Sequence, residues 1–238
     1  MLEIIKGALM DSNDTWGIID GRNSRIIGLS SMDISSILEF DNTVPLVLLK
    51  DRQALIKWGA SRRLRVEKIE GFDENNALRI CGLYQCQDGC SFGYNQIWVR
   101  AEYKNYGRFL RSIAETSFKH APGDLTGIDA DHVINRARIR HLPDAWVMLF
   151  PVPKGPNRGF GARIEKYLPK PAKNTASVEL PPLIAFKLLC GELPKTMAEL
   201  THAMESNIRC RIMQHVPFAK EYCDQMEKDV AEFMKDAL

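Results

Sequence analysis

The chain has 238 residues, with 32 Lys+Arg against 30 Asp+Glu, and 45% of its residues are hydrophobic. An apolar content this high, with charge this balanced, excludes a disordered chain. The net charge of +2 excludes a protein that coats nucleic acid through a uniformly cationic surface, and the length suits one large domain or two small ones.

From the start of the chain, the apolar stretch at Met1–Met10 is broken by Lys6 and followed by Asp11 and Asp14, which does not read as a secretory leader. No window of about 18 apolar residues occurs, so no membrane span and a cytoplasmic location are expected. Thiols stay reduced there, and the six cysteines are expected to be free. Cys81, Cys86 and Cys90 lie close together but contain no C-x-x-C pair, which makes a zinc site a poor reading.

Residues 17–29, GIIDGRNSRIIGL, place apolar pairs on either side of a turn and predict a hairpin. Residues 45–60 predict a helix, with Leu48, Leu49, Ala54, Leu55 and Trp58 as its apolar set. Three strand-like runs follow in residues 62–103, and then a helix is expected from about Tyr106 to Phe118. Near the end, Met197, Leu200, Met204, Ile208 and Ile212 recur at helical spacing, as do Tyr222, Met226, Val230 and Phe233. Pro217 suits the first turn of the second of these helices, and the pair reads as a helical hairpin. The P-loop, G-x-G-x-x-G, G-x-S-x-G and H-E-x-x-H signatures are all absent.

The near-zero net charge hides an uneven distribution. Residues 101–175 carry 13 basic against 7 acidic residues, residues 1–100 carry 12 against 13, and residues 176–238 carry 7 against 10. A basic island suits contact with a polyanion, although a solvated basic face has the same composition.

Within the island, residues 127–166 read as strand, loop, strand, Pro/Gly loop and helix. Asp131 is a hard oxygen ligand suited to Mg²⁺, and His132 has an ordinary pKa near neutrality and can take a proton from water. The two are adjacent, so a regular strand points them to opposite faces, whereas a bulge or extended loop would aim both at one site. Asn157 brings a second oxygen, and Arg158 a cation with bidentate phosphate geometry. Arg136, Arg138 and Arg140 alternate, and with Lys154 they are candidates for backbone contacts to nucleic acid. Each has a plainer reading: Asp131 in a turn, Asn157 as a helix cap, and the arginines as one solvated strand face.

Asp129-Ala130-Asp131-His132, followed after a second strand by Asn157-Arg158-Gly159, resembles the HNH nucleases of the ββα-metal endonuclease superfamily, over about residues 127–166. The resemblance implies that Asp131 and Asn157 bind Mg²⁺ or Mn²⁺ and that His132 is the general base. The family's middle asparagine, which orients the base, has no clear counterpart here; Asp144, just before the second strand, is the expected substitute, and Asp129 is a further supporting acid. The expected class is α+β, with a mixed α/β recognition region at 1–120, a ββα-metal core at 121–175 and a helical region at 176–238. The expected activity is metal-dependent cleavage of phosphodiester bonds, with double-stranded DNA as substrate, in bacterial defence or as an antibacterial toxin. A homodimer or an inhibitor protein is the expected partner of the C-terminal helices. The competing expectations are a non-enzymatic nucleic-acid-binding module and a protein–protein adaptor or immunity protein.

Overall fold

In the computed structural model, the described residues are 44–85, 91–109, 111–112, 128–154, 157–158, 162–190, 193–209 and 217–237. The hairpin expected at 17–29, most of the helix expected at 106–118, and Cys86, Cys90 and Cys210 lie outside them.

The described part of the chain opens with β1 (Leu46–Leu49), which is buried, and turns at once into α1 (Arg52–Ser61). One helix over 45–60 was expected, and the break has a local cause. The Asp51 backbone is extended, and its carboxylate accepts a hydrogen bond from Ala54 N at 2.7 Å, so α1 starts there. The preceding Leu-Val-Leu-Leu is uniformly apolar, which suits a strand buried on both faces as well as it suits a helix.

The three expected strands are β2 (Arg65–Lys68), β3 (Ala77–Gln85) and β4 (Ser91–Arg100). Next in the described chain come β5 (Ile128–His132), the short α2 (Arg136–Ile139) and β6 (Trp146–Pro153). After β6 come α3 (Ala162–Tyr167), β7 (Ser177–Glu179) and α4 (Pro182–Cys190). Two further helical pieces close the described chain. In the first, α5 (Met197–Ala203) continues as a π-helical turn (Met204–Arg209), and the second is the long α6 (Pro217–Ala237).

The architecture is α+β. All the strand pairings are antiparallel, and they form a seven-stranded sheet in the order β2-β3-β4-β6-β1-β7, with β5 also paired to β6. Leu149 pairs with both Ile97 of β4 and His132 of β5, and Val147 pairs with both Val99 of β4 and Leu48 of β1. Hence β4 holds one edge of β6, while β1 and then β5 share the other. Described residues from each of the three expected segments contribute strands to this sheet. One cluster of buried side chains runs from Val47 to Met234.

Cross-strand partners share a face, and residues along a strand alternate. Trp98, Met148, Phe150 and Asp131 therefore lie on one face, and Ile97, Leu149 and His132 on the other. The first face carries α1, whose Trp58 ring packs 5.7 Å from that of Trp98. It also carries α4, whose Lys187 reaches Asp131. On α4, helix α6 is tied to the end of β7: Tyr222 donates its hydroxyl to Leu180 O at 2.7 Å. Trp98, Trp146, Phe186 and Phe233 are among the largest fully buried side chains. Truncating any one of them to alanine would cost about 3–5 kcal/mol.

Candidate functional site

β5 pairs with β6 in unbroken register, from Ile128↔Pro153 to His132↔Leu149. There is no bulge to aim neighbouring side chains together, so Asp129 and Asp131 share one face and His132 takes the other. The strand thus presents two carboxylates, two residues apart, toward α4.

Asp131 meets Lys187, whose Nζ lies 2.5 Å from its Oδ2. The two side chains are 15% and 2% exposed. Lys187 stands in Pro-Leu-Ile-Ala-Phe-Lys-Leu-Leu-Cys, where Leu183 to Leu189 are all buried. An ammonium in such surroundings persists only when paired, because an isolated buried charge costs far more than it returns. Sequence reading passed over Lys187. The one signal was a single cation within an otherwise apolar helical run, which is a pattern that asks for a buried counter-charge.

Asp129 meets Arg158, Nε to Oδ2 at 3.5 Å. The arginine side chain is 72% exposed and Asp129 is 25% exposed. This pair brings the start of the segment after β6, with Asn157 next to Arg158 in sequence, to the Asp129 end of β5. Asp129, Asp131, Arg158 and Lys187 are therefore gathered around one face of one strand.

His132 belongs to a different environment. It is 3% exposed, and its ring lies edge-on to Tyr106 with centroids 4.0 Å apart. Its Nε2 is buried and has no hydrogen-bond partner among the described residues. Burial, helped by the positive charge of Arg136, pulls its pKa down to about 3, so the ring is neutral at neutral pH.

The remaining expected site residues are spread out. Asn135 caps α2 by accepting from Ala137 N at 2.7 Å, so Arg136, Arg138 and Arg140 lie on a helical turn and not on one strand face. On that turn Arg136 and Arg140, four apart, share a side, while Arg138 has a buried Nε with no partner among the described residues. Lys154 directly follows β6. Asp144 stands at the far end of β6 from β5. There it pairs with Arg100 at 3.0 Å and helps line a cavity of about 370 Å³ that includes Asp51, Arg52, Asn75 and Trp146.

Among the described residues, no group of three or more His, Cys, Asp and Glu is placed to hold a metal ion. The donor set to test is therefore two carboxylates plus the amide oxygen of Asn157. All three are hard oxygen donors that suit Mg²⁺ or Mn²⁺ better than a soft metal. Cys81 is buried, and burial raises its thiol pKa, so it fits a core residue and not a thiolate ligand. No described helix is long and apolar enough to cross a membrane. Comparison of the chain with protein-family models, curated proteins and solved structures finds no match.

Proposed function

We infer that the chain is a metal-dependent, HNH-like endonuclease that hydrolyses phosphodiester bonds of nucleic acid, with double-stranded DNA as the substrate to test first. The observation that carries this reading is the acid pair Asp129/Asp131 on one face of β5, with Arg158 drawn back to it from the segment after β6. The order strand, strand, helix is the outline of a ββα-metal core. Asp129, Asp131 and Asn157 would hold Mg²⁺ or Mn²⁺, which supplies neutralisation of the charge that builds on the phosphate.

The protein's own residues supply orientation and charge. Lys187, on α4 over the same face of the sheet, fixes the Asp131 carboxylate in one direction. Arg158 is exposed enough to turn from Asp129 to a phosphate oxygen, where its guanidinium fits two oxygens at once. His132 is neutral, as a proton acceptor must be, but its ring lies on the opposite face from the acid pair. In this reading Asp129 Oδ1 takes the proton of the attacking water on the carboxylate face, and His132 packs beneath it.

A second reading is favoured by one observation. Both carboxylates already have cationic partners within the chain, Asp131 in Lys187 and Asp129 in Arg158. The acids would then be structural ion pairs of a non-enzymatic nucleic-acid-binding module.

Incubating supercoiled plasmid and RNA with the full chain, in Mg²⁺, in Mn²⁺ and in EDTA, separates the two. The nuclease reading expects cleavage only with a divalent ion, and cleavage that survives His132→Gln at a substantial fraction of the wild-type rate. Loss of cleavage in a folded His132→Gln variant would return the role of base to His132. No cleavage under any condition would leave the binding module.

A further inference from the structure

Among the described cations some pair with carboxylates and others do not, and Lys57, Arg63 and Lys104 are exposed and without an ion pair among the described residues, as are cations of the basic island. Arg52, Arg65, Arg100, Arg209 and Lys220 each pair with a carboxylate. Arg140, Lys170 and Lys173 are exposed and form no ion pair among the described residues. Residues 136–173 hold nine Lys+Arg against two acids, Asp144 and Glu165. Arg100 already engages Asp144.

A single contact brings two parts of this stretch together. His141 Nε2 lies 2.7 Å from Pro171 O, tying the loop after α2 to the loop before β7. Arg140 and Lys170 are the immediate chain neighbours of those two residues. Lys173 follows within a turn closed by a hydrogen bond from Thr175 N to Ala172 O at 3.0 Å. Exposed cations from two loops thirty residues apart therefore lie on one patch, and among the described residues no carboxylate pairs with them.

We propose that Arg140, Lys170 and Lys173 form a docking surface for the phosphate backbone of duplex nucleic acid. The inference rests on the nucleic-acid reading above and gives it a second contact point. A duplex suits the patch better than an anionic membrane does. Membrane docking by a basic patch draws on apolar side chains inserted beside the charges, and of the two exposed large apolar residues among those described, Tyr167 packs its ring edge-on against Phe233 of α6 and Met197 lies on α5. Backbone contacts of this kind ignore sequence and weaken steeply with salt.

The test is fluorescence anisotropy of a short labelled duplex titrated with the full chain in EDTA, at several salt concentrations. The triple variant Arg140→Gln/Lys170→Gln/Lys173→Gln is the comparison. It is expected to bind at least roughly tenfold more weakly at low salt. Its slope of log affinity against log salt should be shallower by about 2.7, or about 0.9 for each lost phosphate contact. An unchanged slope overturns the proposal, as does binding to phosphatidylserine vesicles that depends on these three residues while duplex binding does not. Because no divalent ion is present, binding and cleavage are judged apart. Variant-sensitive binding without cleavage in Mg²⁺ sinks the nuclease reading alone, and cleavage with an unchanged salt slope sinks the docking surface alone.

Discussion

Lys187 and Asp131 form the most deeply buried ion pair described in the chain, and they sit in the candidate site. Removing one partner of such a pair strands the other charge away from water. Lys187→Met, which keeps the side chain's length, is therefore expected to lower unfolding free energy by about 3–5 kcal/mol. Adding Asp131→Asn should recover most of that loss, because neither charge then remains unpaired. Chemical denaturation of the two variants and the wild type checks both statements, and an additive pair of losses would contradict them.

His132 makes the opposite use of burial. Its folded pKa of about 3 lies below the ordinary value of 6.5. The unfolded chain therefore binds the proton more readily between those values. The neutral ring's contribution is complete above pH 6.5 and is lost as the pH falls toward 3, at about 1.4 kcal/mol per pH unit. The difference in stability between wild type and His132→Gln, measured across this range, should shrink by that slope as the pH falls. A difference independent of pH would mean that the ring is not held neutral. The adjacency of Asp131 and His132 was plain in the sequence, but which face each takes was not. That depended on whether β5 is regular or bulged, and its pairing with β6 decides the matter.

At the scale of elements, the strands of residues 62–100 and 128–153 were legible because alternating or continuous apolar runs are bounded by turn residues. The C-terminal helices were legible because their period is 3.6. Between them, α5 starts where Thr196 Oγ1 accepts from Glu199 N at 3.2 Å, a cap that the Thr-x-x-Glu spacing announces. β1 was hidden because four consecutive apolar residues carry no period. The signal that divides it from α1 is Asp51, a residue that favours helix caps over helix interiors. Asp51→Ala is expected to destabilise the protein by about 1 kcal/mol through loss of the bond to Ala54 N. Thermal melting checks it. A melting temperature unchanged from wild type would show that the turn after β1 holds α1 without its cap.

At the scale of the molecule, β6 is the strand that joins the described segments into one sheet. It pairs with β4 along one edge and with β1 and β5 along the other, so the middle of the chain is built into the same sheet as the segments before and after it. The two expected strands are part of this larger sheet, and the described part of the helix that follows them is Ala162–Tyr167. Long-range pairings such as Leu48↔Val147 join residues 99 positions apart, and no local pattern encodes them. The same holds for Lys187, which reaches Asp131 across 56 residues.

The acid pair on β5 is the core of the functional account, and nicking of supercoiled plasmid by Asp131→Asn tests it most directly. With Mg²⁺ or Mn²⁺ present and folding verified by circular dichroism, the wild type should nick the plasmid. The variant should be slower by roughly a hundredfold or more, the scale expected when one charged group that supports phosphoryl transfer is lost. Equal nicking by both proteins, or nicking by neither, would contradict the account.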